Sequence, residues 1–228
     1  FKLGVATTTE DFTGEVVEEV PVSSPPDEQK VKEVLNQFLG EIVQIPPMYS
    51  AVKVKGKKLY EWARLGIEVE RPVRRVKIER LDLIHYQPEP PFPTVGIAVT
   101  CSKGTYIRTL CVDIGRALGY PAHLTSLVRT KSGPFTLEES VDLEEVKSWT
   151  YEDWKEKLLP IDSALRQLPS IRLDRKGAEK IRHGQKITYK KTEQKASLYR
   201  VYGPDRELIA LGRWIKPYWL KPEKVFQL

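Results

Sequence analysis

Cysteine, histidine and methionine are scarce. The 228 residues hold two cysteines, Cys101 and Cys111, one methionine and three histidines, His85, His123 and His183. Two cysteines exclude a disulfide framework, and no spacing resembles a CxxC or HExxH ligand set, so a structural zinc site is not expected. Such thiol usage suits a reducing cytoplasm. No apolar run approaches the roughly 18 residues that a membrane helix requires. The opening "FKLGVATTTEDF" lacks the basic start and apolar core of a secretion signal. It does not begin with Met, and "FKLGV" reads as the interior of a strand. The expectation is therefore the later part of a longer polypeptide, with its N-terminal segment missing.

What is present is charge, unevenly placed. From Ser170 onward fifteen Lys and Arg stand against six Asp and Glu, an excess of nine. The remainder carries 22 against 25, a deficit of three. A basic tail on a near-neutral body points to a polyanion held at one end, ahead of the alternative of solubilising charge.

The pattern of elements is mixed. "SSPPDEQKVKEVLNQFLG" predicts a helix capped by Ser24, with Pro25 at its first position, an apolar stripe of Val31, Val34, Leu35, Phe38 and Leu39, and a stop at Gly40. "KKLYEWARLG" predicts a second helix ending at Gly66. A long strand with a bulge near Leu81 is expected over residues 73–86, and a half-buried strand over Val95–Cys101. After Gly104 the period becomes helical through Ile107, Leu110, Cys111, Ile114 and Leu118. "HLTSLVRTKSGPF" returns to an extended reading, followed by two short acidic helices. Around "RQLPSIRL" the character changes. This places a boundary between residues 1–168 and a small, mostly β domain over 169–228, whose helix ends at Gly184.

Three stretches carry candidate chemistry. In "CSKGTYIRTL", Thr105 is the expected helix N-cap, with Lys103 before it and Arg108 in the first turn. Cations there oppose the helix dipole, which makes sense if an anion occupies the spot; solvated side chains around a plain glycine turn are the equal alternative. "MYSAVKVKGKKLYEWAR" interleaves Tyr49, Tyr60 and Trp62 with Lys53, Lys57, Lys58 and Arg64, the mixture that a splayed nucleic-acid strand needs. Trp62 and Leu59 are expected in the core. "SLVRTKSG" sets Arg129 in an otherwise apolar strand, where a buried guanidinium asks for an acid from elsewhere in the fold.

Four ordered blocks, "LGVATTTEDFTGEVV", "IPPMYSAVKVKGKKLYEWARLGIEV", "SKGTYIRTLCVDIGRALG" and "AHLTSLVRTKSGPF", closely resemble the TruB-type tRNA pseudouridine synthases. The tail, with "VYGPDRELIALGRW", is similar to a PUA domain, a small barrel-like RNA-binding module. The resemblance implies an enzyme that flips a T-loop uridine of tRNA (position 55) out of its stack and isomerises it to pseudouridine without metal or cofactor. An aspartate acts there; in the family it lies in a G-H-x-G-T-L-D block upstream of the first matching stretch, and the active-site tyrosine also lies upstream. Asp11, Asp82 and Asp113 lack that context, so none is assigned as nucleophile. The resemblance makes Arg129 the ion-pair partner of that absent aspartate. It makes Lys103, Tyr106 and Arg108 candidates for holding RNA, with Tyr49 and Lys53 nearby. His123 stands equally as an RNA contact or as a satisfied structural histidine. On the tail helix, Lys176 and Arg182 are further RNA candidates.

The resulting expectation is an α+β body, a mixed or antiparallel twisted sheet with flanking helices, extended by a PUA-like barrel. The expected partner is the T-arm of tRNA, the expected state a monomer away from membranes. A non-catalytic RNA-binding protein, such as a tRNA-folding chaperone, and an α/β enzyme for a phosphorylated metabolite are the competing readings.

Overall fold

A computed structural model describes residues 1–189, 197–216 and 218–226. The chain divides into two units, Phe1–Val128 and Arg129–Leu228.

In the first unit the strands are β1 (Lys2–Leu3), β2 (Val5–Thr7), β3 (Val16–Glu19), β4 (Gly40–Gln44), β5 (Lys53–Val54), β6 (Lys57–Lys58), β7 (Arg74–Gln87), β8 (Thr94–Cys101) and β9 (Ala122–His123). The helices are α1 (Glu28–Asn36), α2 (Leu59–Arg64) and α3 (Ile107–Leu118). Five strands form one antiparallel sheet in the order β4-β7-β8-β1-β9. Strand β7 runs fourteen residues, and its pairing with β8 slips on both sides of Leu81, so the anticipated bulge is a pair of them. The two helices α1 and α3 bury Val31, Val34, Leu35, Leu110 and Ile114 against Leu3, Ile78 and Val95 of the sheet. Each such side chain contributes about 1.5–3 kcal/mol by leaving water.

Helix α1 starts later than the sequence pattern suggests. Its cap is Asp27, whose carboxylate accepts from Lys30 N at 2.6 Å, not Ser24. The phenol hydroxyls of Tyr120 and Tyr86 donate to the carbonyls of Ser24 and Pro26, which holds that stretch extended. The helix ends at Asn36, and Gly40, with φ +88°, opens β4 instead of stopping the helix. Gly115 allows α3 to lie directly on β9: a Cβ there would sit 2.4 Å from the Cβ of Ala122.

The second unit holds a hairpin, β10 (Lys131–Ser132) and β11 (Phe135–Thr136), then helices α4 (Leu143–Lys147) and α5 (Tyr151–Lys157). A five-stranded sheet follows, from β12 (Ser170–Arg172), helix α6 (Arg175–Arg182), β13 (Ile187–Thr188), β14 (Tyr199–Tyr202), β15 (Leu208–Lys216) and β16 (Trp219–Val225). Its order is β12-β14-β15-β16-β13, antiparallel except for the parallel pair β12–β14. Ala178 and Ile181 of α6 close a core of Ile171, Tyr199, Val201, Ile209 and Leu220. The mixed and antiparallel sheets with flanking helices fit the α+β expectation.

Candidate active site

The first turn of α3 is where the chain concentrates its polar contacts. Gly104, at φ +87°, turns the backbone between β8 and α3. Thr105 does not cap the helix; its hydroxyl donates back to Ser102 O at 2.8 Å. The N-cap is Tyr106, whose side chain makes no cap bond. The amide of Gln44, 1% exposed, grips the backbone of this residue from β4: Tyr106 N donates to Oε1 at 3.0 Å and Nε2 donates to Tyr106 O at 3.2 Å.

Two residues further on, Arg108 gathers three segments. Its Nη1 donates to Thr9 O at 3.0 Å and pairs with Asp11 Oδ2 at 2.9 Å, while Nη2 donates to Tyr49 O at 2.8 Å. Both partners of the ion pair are about one fifth to one quarter exposed. These bonds use three of the five guanidinium hydrogens, which leaves a face of Arg108 for a further acceptor. Helix α3 therefore carries a cation in its first turn because a carboxylate from another segment meets it there. The free anion site anticipated around Gly104 is replaced by an internal ion pair.

Asp11 is fixed from its own turn as well. Oδ1 accepts from Thr9 Oγ1 at 2.7 Å, Thr13 N at 3.0 Å and Thr13 Oγ1 at 2.5 Å. Burial would raise its pKa, but the hydrogen bonds from Thr13 and Thr9 and the Arg108 contact outweigh that and hold it below the ordinary aspartate range. Next to it, Glu10 adopts a left-handed backbone with φ +64° and accepts from the buried Thr109 hydroxyl at 2.6 Å. Burial pushes the Glu10 carboxyl above its usual pKa despite the Thr109 bond and the nearby Arg108. Adjacent residues Glu10 and Asp11 thus clasp adjacent residues Thr109 and Arg108.

Other predicted residues are placed differently. The basic-aromatic hairpin forms, turning at Lys55 and Gly56, and Leu59 is fully buried. Its rings are already engaged: Lys57 lies 4.9 Å over Trp62, while Lys58 and Arg64 lie 5.4 and 5.3 Å from the Tyr60 ring. Trp62 Nε1 also donates to Val54 O. Lys53 and Lys103 are exposed, and Tyr49 and Tyr106 are half-buried. His123 is buried in β9 with Nδ1 2.8 Å from Val5 O, so it is part of the sheet and not a surface contact for RNA.

Arg129 departs most from expectation. Residues 125–130 form no strand, Leu127 and Val128 are 58% and 68% exposed, and Arg129 is exposed with them. The buried part of this segment ends at Leu124, whose backbone pairs with Glu10 and Phe12; beyond it no sheet partner turns the side chains inward. Among the described residues no carboxylate is paired with Arg129, whose expected partner is the upstream aspartate; Arg108 pairs with Asp11. In the second unit Lys176 lines a groove of about 470 Å³ with Asp174, Lys180 and Tyr189, and Arg182 pairs with Glu207 at 2.6 Å. Among the described residues no three His, Cys, Asp or Glu side chains converge as a metal site, and no helix is long and apolar enough to cross a membrane.

Sequence reasoning passed over Gln44, Glu10 and Thr109. Gln44 has no motif around it, and its role depends on a contact 62 residues away. Asp11 had a local signal, since "TTTEDFTG" offers an aspartate able to bond its own turn.

Comparison with known proteins places the chain among the pseudouridylate synthases. Residues 1–107 match the N-terminal domain of the TruB family pseudouridylate synthases, residues 108–166 the tRNA pseudouridylate synthase B C-terminal domain, and residues 169–226 the C-terminal region of pseudouridine synthase II TruB. The tRNA pseudouridine synthase B of Bacillus licheniformis is 47% identical over 226 residues, covering 97% of this chain and 72% of that protein. The tRNA pseudouridine synthase B of Halalkalibacterium halodurans is 46% identical, covering 98% and 74%. A chain of a crystallised Cbf5-Nop10-Gar1 complex superposes with a TM-score of 0.62 at 24% identity, over 99% of this chain and 66% of that one, a likeness of fold. The chain belongs to the TruB family and spans about three quarters of the length of these curated relatives.

Proposed function

We propose that this chain isomerises a uridine of tRNA to pseudouridine. The relatives that share close to half its residues bear that name, and one observation carries the reading into the structure. Arg108, in the family-matched region, is a half-buried guanidinium fixed by three bonds to two other segments, with donors to spare. Such a group keeps a reacting carboxylate ionised and oriented, the role that the resemblance gave to Arg129. Arg108 is a second candidate for it, already held in place, beside Arg129, which is exposed among the described residues and whose expected partner aspartate lies outside them.

The reacting aspartate is taken from outside these residues. Asp11 is saturated by its own turn and by Arg108. Asp82 pairs with Arg80 at 2.5 Å, and Asp113 faces Arg116 at 3.3 Å. In this reading the T-loop uridine is flipped toward Arg108, its glycosidic bond breaks with assistance from the aspartate, and the base rejoins the ribose through carbon 5. Lys53, Lys103, Tyr49 and Tyr106 hold the loop. The basic 169–228 segment, read as a PUA-like module with Lys176 in its groove, extends the contact to the tRNA body.

The test uses the full-length protein and a T-arm stem-loop, with pseudouridine measured by tritium release from 5-tritiated uridine. Arg108→Ala should lower single-turnover isomerisation by at least about 100-fold. Arg129→Ala, measured beside it, decides between the two arginines. Tight T-arm binding with no tritium release would instead favour the non-catalytic RNA-binding reading.

A further inference from the structure

Gln44 is among the most deeply buried polar side chains of the first unit, and its amide serves one purpose. Both its polar atoms are spent on the backbone N–H and C=O of Tyr106. Tyr106 occupies the N-cap of α3, a position where Ser, Thr, Asn or Asp normally supply the cap from their own side chain. Tyrosine cannot do so, and the neighbouring Thr105 is turned back to Ser102. With its backbone held by Gln44, position 106 carries a half-buried aromatic ring two residues before Arg108.

The same six-residue segment is tied a second time. Gln44 holds Tyr106 at one end of "QIPPMY", and Arg108 Nη2 holds Tyr49 O at the other. Between them Pro46 and Pro47 are buried, and Arg71 donates to Pro46 O at 3.2 Å. Two points of attachment, two residues apart on the first turn of α3, fix the loop and the helix start as one rigid piece. Tyr49, Tyr106 and Arg108 all lie on that piece.

We propose that Gln44 is a positioning residue for the isomerisation: by holding the backbone N–H and C=O of Tyr106 at the start of α3 it sets where Tyr106 and Arg108 stand relative to the flipped uridine. This rests on the reading of the chain as a tRNA pseudouridine synthase. Gln44 itself need not touch RNA, so its loss should be felt in the rate of the bound complex more than in affinity. A displacement of about 1 Å at the reacting groups is enough to cost on the order of 100-fold.

Two variants of the full-length enzyme test it, with kcat and KM on a T-arm substrate and thermal melting of each protein. Gln44→Met keeps the length and removes both hydrogen bonds; kcat is expected to fall about 10–100-fold with KM within about threefold. Gln44→Glu is the sharper instrument. Its neutral carboxyl can donate to Tyr106 O and accept from Tyr106 N as the amide does, whereas its carboxylate sets an oxygen against that carbonyl. Burial favours the neutral form, opposed by Arg74, which pairs with position 44 across β4 and β7, and by Arg71 at Pro46. The activity of Gln44→Glu relative to wild type should therefore climb as the pH falls from about 8 toward 5. A folded Gln44→Met with wild-type kcat, or a Gln44→Glu ratio that stays flat with pH, overturns the proposal while leaving the functional reading intact. If Gln44→Met fails to fold, the pH ratio of Gln44→Glu decides alone. Absence of pseudouridine from the wild-type enzyme would overturn the functional reading and the role of Gln44 with it.

Discussion

Arg108 and Asp11 stand 2.9 Å apart, 97 residues apart in sequence, and each is held by further bonds that fix its direction. Arg108→Lys keeps the charge but replaces a planar fork by a single ammonium, which cannot reach Thr9 O, Asp11 and Tyr49 O together. The expected result is a loss of isomerisation close to that of Arg108→Ala, with T-arm affinity within a few-fold of wild type. Single-turnover kinetics and filter binding would check it; full activity in the lysine variant would remove the fork from the mechanism.

Acid should loosen this pair. The folded Asp11 titrates below an unfolded aspartate near 3.9. Its contribution to stability is thus complete above that value and disappears as pH drops through the lower folded one. Asp11→Asn should lose stability relative to wild type at pH 7, and the gap should close as the pH approaches about 2–3 in paired thermal melts.

Glu10 should behave in the opposite sense. Its folded pKa is raised above the unfolded value, near 4.3. Folding therefore binds a proton between the two values, and the wild type loses stability as pH rises through that window. Glu10→Gln retains an acceptor for Thr109 and carries no charge. It should melt at or above the wild-type temperature at pH 7–8 and show no advantage below pH 4.

The close approach of α3 to β9 predicts a packing cost. Gly115→Ala forces a methyl group to within 2.4 Å of Ala122 Cβ and 3.0 Å of Tyr120 O, so strand and helix must separate. Overpacking of this kind costs about 1–3 kcal/mol. Gly104→Ala meets open space but must hold φ +87°, costing on the order of 1–2 kcal/mol. Urea titrations of both variants would rank them.

Lys103 is exposed at the turn before α3. Lys103→Ala should weaken T-arm binding and reduce the salt dependence of log Kd by about one phosphate contact. An unchanged slope would mean that the lysine is merely solvated.

Periodicity made the strands β7 and β8, the helices α1 to α3 and the small β tail legible, because each displays one apolar face to a single core. The tail's last strand, Trp219–Val225, was not anticipated, since Pro222 interrupts its pattern. The strand expected around Arg129 rested on apolar Leu127 and Val128, yet residues 125–130 form no strand and both side chains are exposed. Arg108 was read as a free cation since its carboxylate partner lies far back in the chain. Gln44 gave no signal at all: a buried glutamine earns its place only through the peptide it meets.

One consequence concerns chemistry at sulfur. Cys111 is sealed inside the α3 core and burial pushes its thiol up to about 12, so it stays protonated and unreactive in neutral buffer. Cys101 is only half-buried, at the end of β8 two residues before Lys103. Of the two thiols in these 228 residues only Cys101 is therefore open to a thiol-directed fluorophore, beside the turn that leads into α3, where a label would report RNA arrival.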